Sequence, residues 1–281
     1  MKLGIFGNHT KQQIVRMIKE HLEWIRNKGI EFYIEKELAE KMGVHIALEN
    51  SIDCEDLAKK CEIVLVFGGD GTMLLAARKI GIFGVPILGI NSGGLGFLTE
   101  VTPEELIENM ERLLKKDYEI DNRILLEARK FGDDDRVLYA LNDFVIDKGF
   151  YGRTLTIKVV IEGTYYNKYT SNGIIVSTAT GSTAYSLSAG GPVLYPTLKD
   201  ILITPICSHE LAVRPLIVPG EYIIEIQVQL ENYSISMYAD GQAGFLLKNN
   251  QRVEIKRSEY SVNLVHFRER SFYQVLRKKL S

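Results

Sequence analysis

The sequence predicts two halves of different class: an α/β half over residues 1–118 built on a parallel sheet, and an all-β half over residues 119–265. A last helix at about 266–281 can pack back on the first half. Three observations carry this. Ile63-Val64-Leu65-Val66-Phe67 is an apolar, β-branched run suited to a strand buried on both faces. Such strands alternate with helical stripes as far as Lys116, as parallel pairing requires. After Tyr118 the helical stripes give way to short alternating runs separated by turns.

In chain order, Leu3 to Phe6 reads as the first strand, and Asn8 or Thr10 can cap the helix behind it. That helix carries Ile14, Ile18, Leu22 and Ile25 on one stripe and closes at Gly29. Ile30 to Ile34 is a second strand and Glu37 to Met42 a short helix. Then come the central strand, a helix to Lys79 capped by Thr72, a buried strand from Pro86 to Ile90, and a helix from Pro103 to Lys116. Strand-like runs in the second half are Ile124 to Phe131, Val137 to Asp147, Thr154 to Glu162, Gly173 to Ser177, Ile201 to Pro205, Tyr222 to Leu230, Ser234 to Tyr238 and Val253 to Ile255. Asp133-Asp134-Asp135 and Lys248-Asn249-Asn250 read as turns. The tail from Ser271 to Leu280 reads as a helix whose late Lys and Arg residues suit its dipole.

Composition narrows the function. With 281 residues, 46% apolar and 25% charged, the chain can bury one large core or two ordinary ones. A net charge of −2 supplies no basic field for nucleic acid. No apolar run approaches the roughly 20 residues that span a bilayer, and the N-terminus reads as a strand rather than a signal peptide. Three cysteines without close pairing, Cys54, Cys61 and Cys207, fit reduced thiols in a cytoplasm.

The chemistry concentrates between the central strand and its helix, at Gly68-Gly69-Asp70-Gly71-Thr72. Glycines leave backbone N–H groups uncovered for a phosphate, and the helix N-terminus favours the same anion. A carboxylate there is out of place unless it accepts a proton, holds a cation or orients a hydroxyl. Asp70 therefore points to phosphoryl transfer, although such a turn also serves as a plain connection in α/β proteins. Asn91-Ser92-Gly93-Gly94-Leu95-Gly96-Phe97 follows the next strand, so two loops are expected to face one crevice.

Two further stretches stand out in the β half. Ser177 to Pro192 breaks the strand pattern with a hydroxyl-rich turn, a short helix from about Ser182 and a Gly-Gly-Pro stop. Its hydroxyls and N–H groups can bind base and sugar edges, with Tyr185 as a ring surface; a small-residue helix packed on a sheet explains it equally. Asn142-Asp143, just inside a strand, offers a carboxylate for a ribose diol and an amide for a base edge, though such pairs also form turns.

Taken together these stretches resemble the NAD kinase family. Gly68-Gly69-Asp70-Gly71-Thr72 matches its signature loop, Leu95-Gly96-Phe97-Leu98 its next glycine segment, and Leu141-Asn142-Asp143 the place of its Asn-Glu pair. Thr180-Gly181-Ser182-Thr183-Ala184-Tyr185-Ser186 matches its second signature, and His209 with Arg214-Pro215-Leu216 and Asp240-Gly241-Gln242 match two more. The likeness covers nearly the whole chain in order. It implies a Rossmann-like N-terminal domain, a C-terminal β-sandwich domain and a cytoplasmic homo-oligomer, commonly a tetramer. It also implies Mg²⁺-assisted transfer of the terminal phosphoryl group of ATP to the 2′-hydroxyl of the adenosine ribose of NAD, giving NADP; the sequence leaves open whether polyphosphate also serves as donor.

By that resemblance Asp70 is the catalytic base, and Gly68, Gly69, Gly71 and Thr72 form the phosphate loop. Asp70, Gly71, Asn142, Asp143, Arg153, Asn172, Thr183, Ala184, Tyr185, Ser186, Leu187, Ser188 and Gln242 contact NAD, with Thr180 and His209 supporting. No side chain is assigned to the metal. Three positions depart from the family: Asp143 stands where glutamate is usual, Asn172 where aspartate is common, and Ala179 where proline is usual. The competing expectations are a lipid or sugar kinase with a similar glycine loop, and an NAD(P)-sensing protein without catalysis.

Overall fold

A computed structural model of the chain describes residues 1–280 except 92, 95, 150–153, 211 and 230–234, with backbone only at 133–135 and 243. It divides into two units: residues 1–122 with 260–281, and residues 123–259.

The first unit alternates strand and helix: β1 (Lys2–Gly7), α1 (Gln12–Asn27), β2 (Glu31–Glu35), α2 (Lys36–Met42), α3 (His45–Glu49), β3 (Ser51–Ile52), α4 (Cys54–Lys60), β4 (Ile63–Phe67), α5 (Asp70–Lys79), β5 (Ile87–Ile90) and α6 (Leu106–Leu114). Its strands run parallel in the order β3-β2-β1-β4-β5. The sheet is thus built outward in both directions from the β1–β4 pair, and ligands of such sheets lie beyond the strand carboxyl ends where the order reverses. β4 is buried along its whole length, as its apolar run requires. The stripe of α1 is buried at Ile14, Ile18, Leu22 and Ile25, joined by Met17.

Two caps differ from expectation. Asn8 does not cap α1: its Oδ1 accepts from the N–H and hydroxyl of Thr10, closing a side-chain turn before the helix starts at Gln12. Thr72 lies inside α5, which begins two residues earlier at Asp70. The apolar positions of α5 (Met73, Leu74, Ala76 and Ala77) are buried as their spacing predicts.

The second unit holds two antiparallel layers. One comprises β8 (Asp143–Asp147), β11 (Gly173–Ser177), β12 (Ile201–Ile206), β13 (Leu216–Val218), β15 (Ile235–Ala239) and β16 (Ala243–Leu247), ordered β13-β12-β11-β8-β15-β16. The other comprises β9 (Leu155–Ile161), β10 (Thr164–Ser171), β14 (Ile224–Gln229) and the first residues of β17 (Arg252–His266). β6 (Glu119–Lys130) and β7 (Asp133–Ala140) form a hairpin beside them. One core draws on both layers, with Phe144, Val176 and Ile203 facing Ile157, Ile226 and Val253. That is a sandwich. Leu264, near the end of β17, pairs with Ile87 in the parallel sheet of the first unit, and α8 (Phe272–Leu280) closes the described chain.

Several expected boundaries moved. Val137 to Asp147 is not one strand; it breaks at Leu141-Asn142 into β7 and β8. The Asp133-Asp134-Asp135 segment is the start of β7, and the turn lies at Phe131-Gly132, where Gly132 has a φ of +83°. β10 escapes sequence periodicity because it is a largely exposed, tyrosine-rich edge strand.

Candidate active site

Phe67 ends β4, and Gly68 turns the chain into α5. A Cβ at Gly68 would come within 2.2 Å of the Thr72 hydroxyl oxygen, so this position has no room for a side chain. Gly69 and Gly71 differ: neither has a positive φ, and nothing lies within 4 Å of where their Cβ atoms would be. Their smallness serves the space in front of the loop rather than the turn itself. Such uncovered backbone at a helix N-terminus is the setting in which phosphate groups bind.

Asp70 is the first residue of α5. Its Oδ2 accepts the N–H of Phe97 and its Oδ1 that of Leu98, both at 3.0 Å. The loop after β5 therefore does meet the loop after β4, and its amides fix the carboxylate in one orientation. A Cβ at Gly96 would lie 2.0 Å from the Asp70 Oδ1. The loop is braced by Thr99, whose hydroxyl accepts from Gly96 N–H at 2.9 Å, and by Asn91, whose amide donates to the Gly94 carbonyl at 2.7 Å. Of the loop's expected members, Ser92 and Leu95 lie outside the described residues.

In the second unit, the break between β7 and β8 presents Asn142 and Asp143. Asp143 is only 4% exposed. Burial, then the nearby Asp240 carboxylate, push its carboxyl up to about 7. On β8 and β11, Asp143 stands opposite Ser177, and Asp147 opposite Gly173. Because Phe144 and Val176 point into the core, Asp143 and Ser177 face away from it. Tyr185 belongs to the same face: burial, then Asp147, Cys207 and Asp143, raise its phenol. Its ring is 43% exposed and so available to a ligand.

The Thr180–Ser188 segment forms a turn of 3₁₀ helix, Thr180–Thr183, and one turn of α-helix, α7 (Tyr185–Ser188). Thr183, Ala184 and Leu187 are half-buried, and Ser188 is exposed. Most of its hydroxyls are engaged within the protein: Ser186 with Thr204 at 2.8 Å, Ser182 with the Ala179 carbonyl at 2.7 Å, and Thr183 with the Thr180 carbonyl at 3.3 Å. Thr180 itself is buried, its hydroxyl 3.4 Å from Arg123 and from the Pro196 carbonyl. Asn172 joins β10 to β11, donating its N–H to Ile206 and accepting from Lys148. His209 and Gln242 are exposed. Arg153 lies outside the described residues. Asp240 and Gly181 fall in stretches that sequence reasoning matched to the family, and Thr178 in the hydroxyl-rich turn, but none was assigned the role the structure gives them, which is to hold the Asn142 corner; the Asp-Gly of a hairpin turn signals Asp240's place but not its contacts.

A parallel sheet with a phosphate-ready glycine loop and one amide-anchored carboxylate at its switch region defines a nucleotide-dependent phosphotransferase. Residues 3–118 match the ATP-NAD kinase N-terminal domain and residues 141–267 the ATP-NAD kinase C-terminal domain. The chain belongs to the NAD kinase family. It is 38% identical to the NAD kinase of Geotalea daltonii over 99% of this chain and 98% of the relative. To that of Chlorobium limicola it is 39% identical over 100% and 96%. A yeast NADH kinase complexed with NADH shares the fold at a TM-score of 0.89 and 24% identity, covering 100% of this chain and 87% of that one. An NAD kinase from Archaeoglobus fulgidus in complex with ATP gives 0.74 and 23% identity, over 100% and 98%.

Proposed function

We propose that this chain transfers the terminal phosphoryl group of ATP to the 2′-hydroxyl of the adenosine ribose of NAD, giving NADP. The observation that carries the reading is Asp70: a carboxylate held by the Phe97 and Leu98 amides within a loop whose Gly69 and Gly71 face open space. Each carboxylate oxygen accepts one amide N–H and keeps a second lone pair for a ligand hydroxyl. A carboxylate is a weak base for an alcohol. That suffices, because loose phosphoryl transfer needs little proton removal before the P–O bond breaks. Orientation of the hydroxyl and charge stabilisation by loop N–H groups supply most of the acceleration.

Asn142 and Asp143 take the dinucleotide's base and ribose, and Tyr185 offers it a ring surface. Of the other proposed contacts, Ser188, Gln242 and His209 are the more exposed, whereas Ser186 and Thr180 support the segment from within. Among the described residues no three His, Cys, Asp or Glu side chains cluster as a metal cage. Mg²⁺ would arrive with the nucleotide's phosphates and supply neutralisation of their charge. The reading also includes cytoplasmic location and a homotetramer, which light scattering on the purified protein tests directly.

Turnover of NAD with ATP and Mg²⁺, compared with polyphosphate as donor and with NADH, diacylglycerol and fructose 6-phosphate as acceptors, decides among the kinase readings. Asp70→Asn is expected to keep NAD binding while turnover drops at least ~100-fold, the usual span for a proton-transfer group. Near-normal turnover would remove Asp70 from the chemistry. Tight NAD(P) binding without any transfer would instead favour a sensor.

A further inference from the structure

The corner at Leu141-Asn142-Asp143 is an interruption between two strands, so its backbone groups lack ladder partners. Each is satisfied by a residue from elsewhere in the second unit. The Asp240 carboxylate accepts three consecutive N–H groups: Leu141 at 3.1 Å, Asn142 at 2.8 Å and Asp143 at 3.2 Å. The Asp240 N–H donates in return to the Asp143 carbonyl at 3.0 Å. On the other side, the Thr178 hydroxyl donates to the Leu141 carbonyl at 2.6 Å, and the Thr178 N–H to the Asn142 carbonyl at 2.9 Å. Thr178 also accepts from Gly181 N–H at 3.0 Å, and a Cβ at Gly181 would strike the Asn142 carbonyl oxygen at 2.1 Å. All of Asp143, Asp240 and Thr178 are nearly or fully buried.

A buried carboxylate is costly, and Asp240 sits beside a second one. It also occupies a left-handed backbone position, with a φ of 50°, in the turn that joins β15 to β16. An asparagine suits such a turn as well, but it cannot accept three amides without aiming its own N–H₂ at one of them. We propose that Asp240 is a positioning residue for the dinucleotide: its carboxylate sets the Leu141–Asp143 corner so that Asn142 and Asp143 present their side chains to the base and ribose. Thr178 is its counterpart on the opposite side. The inference rests on the function proposed above and adds to it a residue that touches no substrate.

The charge on Asp240 has a second effect. Among the described residues, the titratable groups facing Asp143 are Asp240 from the β15–β16 turn and Tyr185 from α7, with Asp147 further along the same face of β8. None of these is a cation. With Asp240 charged, Asp143 holds its proton close to neutrality, and the proton lets it donate to a ribose oxygen. Neutralising Asp240 moves the ionisation of Asp143 to lower pH.

The test measures NAD binding by calorimetry, and initial rates against NAD and ATP from pH 5 to 9, for the full chain and two variants. Asp240→Asn is expected to raise the KM for NAD about ten-fold or more, as loss of one buried bond and creation of an N–H/N–H conflict implies. The KM for ATP should stay within about two-fold, and the pH dependence of kcat/KM for NAD should shift to lower pH. Thr178→Val, with Thr178→Ser restoring the hydroxyl, gives the same KM split should Asp240→Asn fail to fold. Unchanged NAD affinity and an unmoved pH profile in folded variants overturn the proposal, as does an equal loss for NAD and ATP. A wild-type chain that binds no NAD overturns the functional reading first, and is told apart by that direct titration.

Discussion

Asp70 and Asp143 are both carboxylates at the ends of buried strands, and the structure treats them oppositely. Asp70 is half-buried and satisfied by two amides, so it remains a fixed acceptor. Asp143 is buried next to a like charge and is pushed up to about 7. The glycines around Asp70 divide in the same way. Gly96→Ala would push a methyl group into the Asp70 carboxylate; kcat is expected to fall at least ~10-fold with a folded protein, read by steady-state rates and thermal melting. Gly71→Ala meets no protein atom and lies in α5, where alanine is favoured by about 1 kcal/mol. It should preserve or raise the melting temperature while increasing the KM for ATP, because the added methyl occupies the ligand's side of the loop. If the KM for ATP is unchanged, the phosphates do not approach Gly71.

Elements decide where those residues stand. The β4–α5 unit works because an entirely buried strand delivers the chain to a helix whose inner face is Met73, Leu74, Ala76 and Ala77. Leu65, fully buried in β4, is part of that foundation. Leu65→Ala should cost 2–5 kcal/mol, roughly the range for such core truncations, in denaturant unfolding. The C-terminal helix reaches the same machinery through Phe272, whose ring lies 6.5 Å from that of Phe97, the residue whose N–H holds Asp70. In the second unit the informative feature is a strand that stops. Leu141 to Ile146 carries the pattern of a continuous run, yet the Asp240 and Thr178 groups bind the backbone at Leu141-Asn142 and turn a strand end into a fixed corner.

At the scale of the whole molecule, protonation links the site to stability. The folded-state pKa of Asp143, about 7, lies above the ordinary value of an unfolded aspartate near 4. The native state therefore binds a proton that the unfolded chain has lost, and stability falls as pH rises from about 4 to about 7. Asp143→Asn should flatten that slope in denaturant titrations at several pH values. His266 acts in the next window. Its hydrogen bond with Glu100 raises its pKa, so its contribution is complete below the unfolded value near 6.5 and is lost as pH climbs through the raised one. His266→Gln should remove this later decline; persistence of the decline assigns it to another group. No helix among the described residues is long and apolar enough to cross a membrane, and the net charge of −2 offers no electrostatic draw toward nucleic acid.

The sequence by itself determined the alternation of the first half and the strand-rich second half, and it marked Asp70, Asn142 and Asp143, because hydrophobic period and glycine punctuation are local properties that survive in one dimension. It did not reveal the edge strand β10, in which Tyr165 and Tyr166 are exposed and Tyr169 is the one tyrosine that enters the core, too little to make an alternating pattern. Nor could it show that Phe97 and Leu98 amides grip Asp70 across 27 and 28 residues, or that Asp240 reaches back almost a hundred residues to hold the Asn142 corner. Those contacts arise only when the sheets close, since a backbone N–H carries no signature of its eventual partner. The tertiary structure therefore decided which acid two amides hold in place and which one is buried beside a like charge.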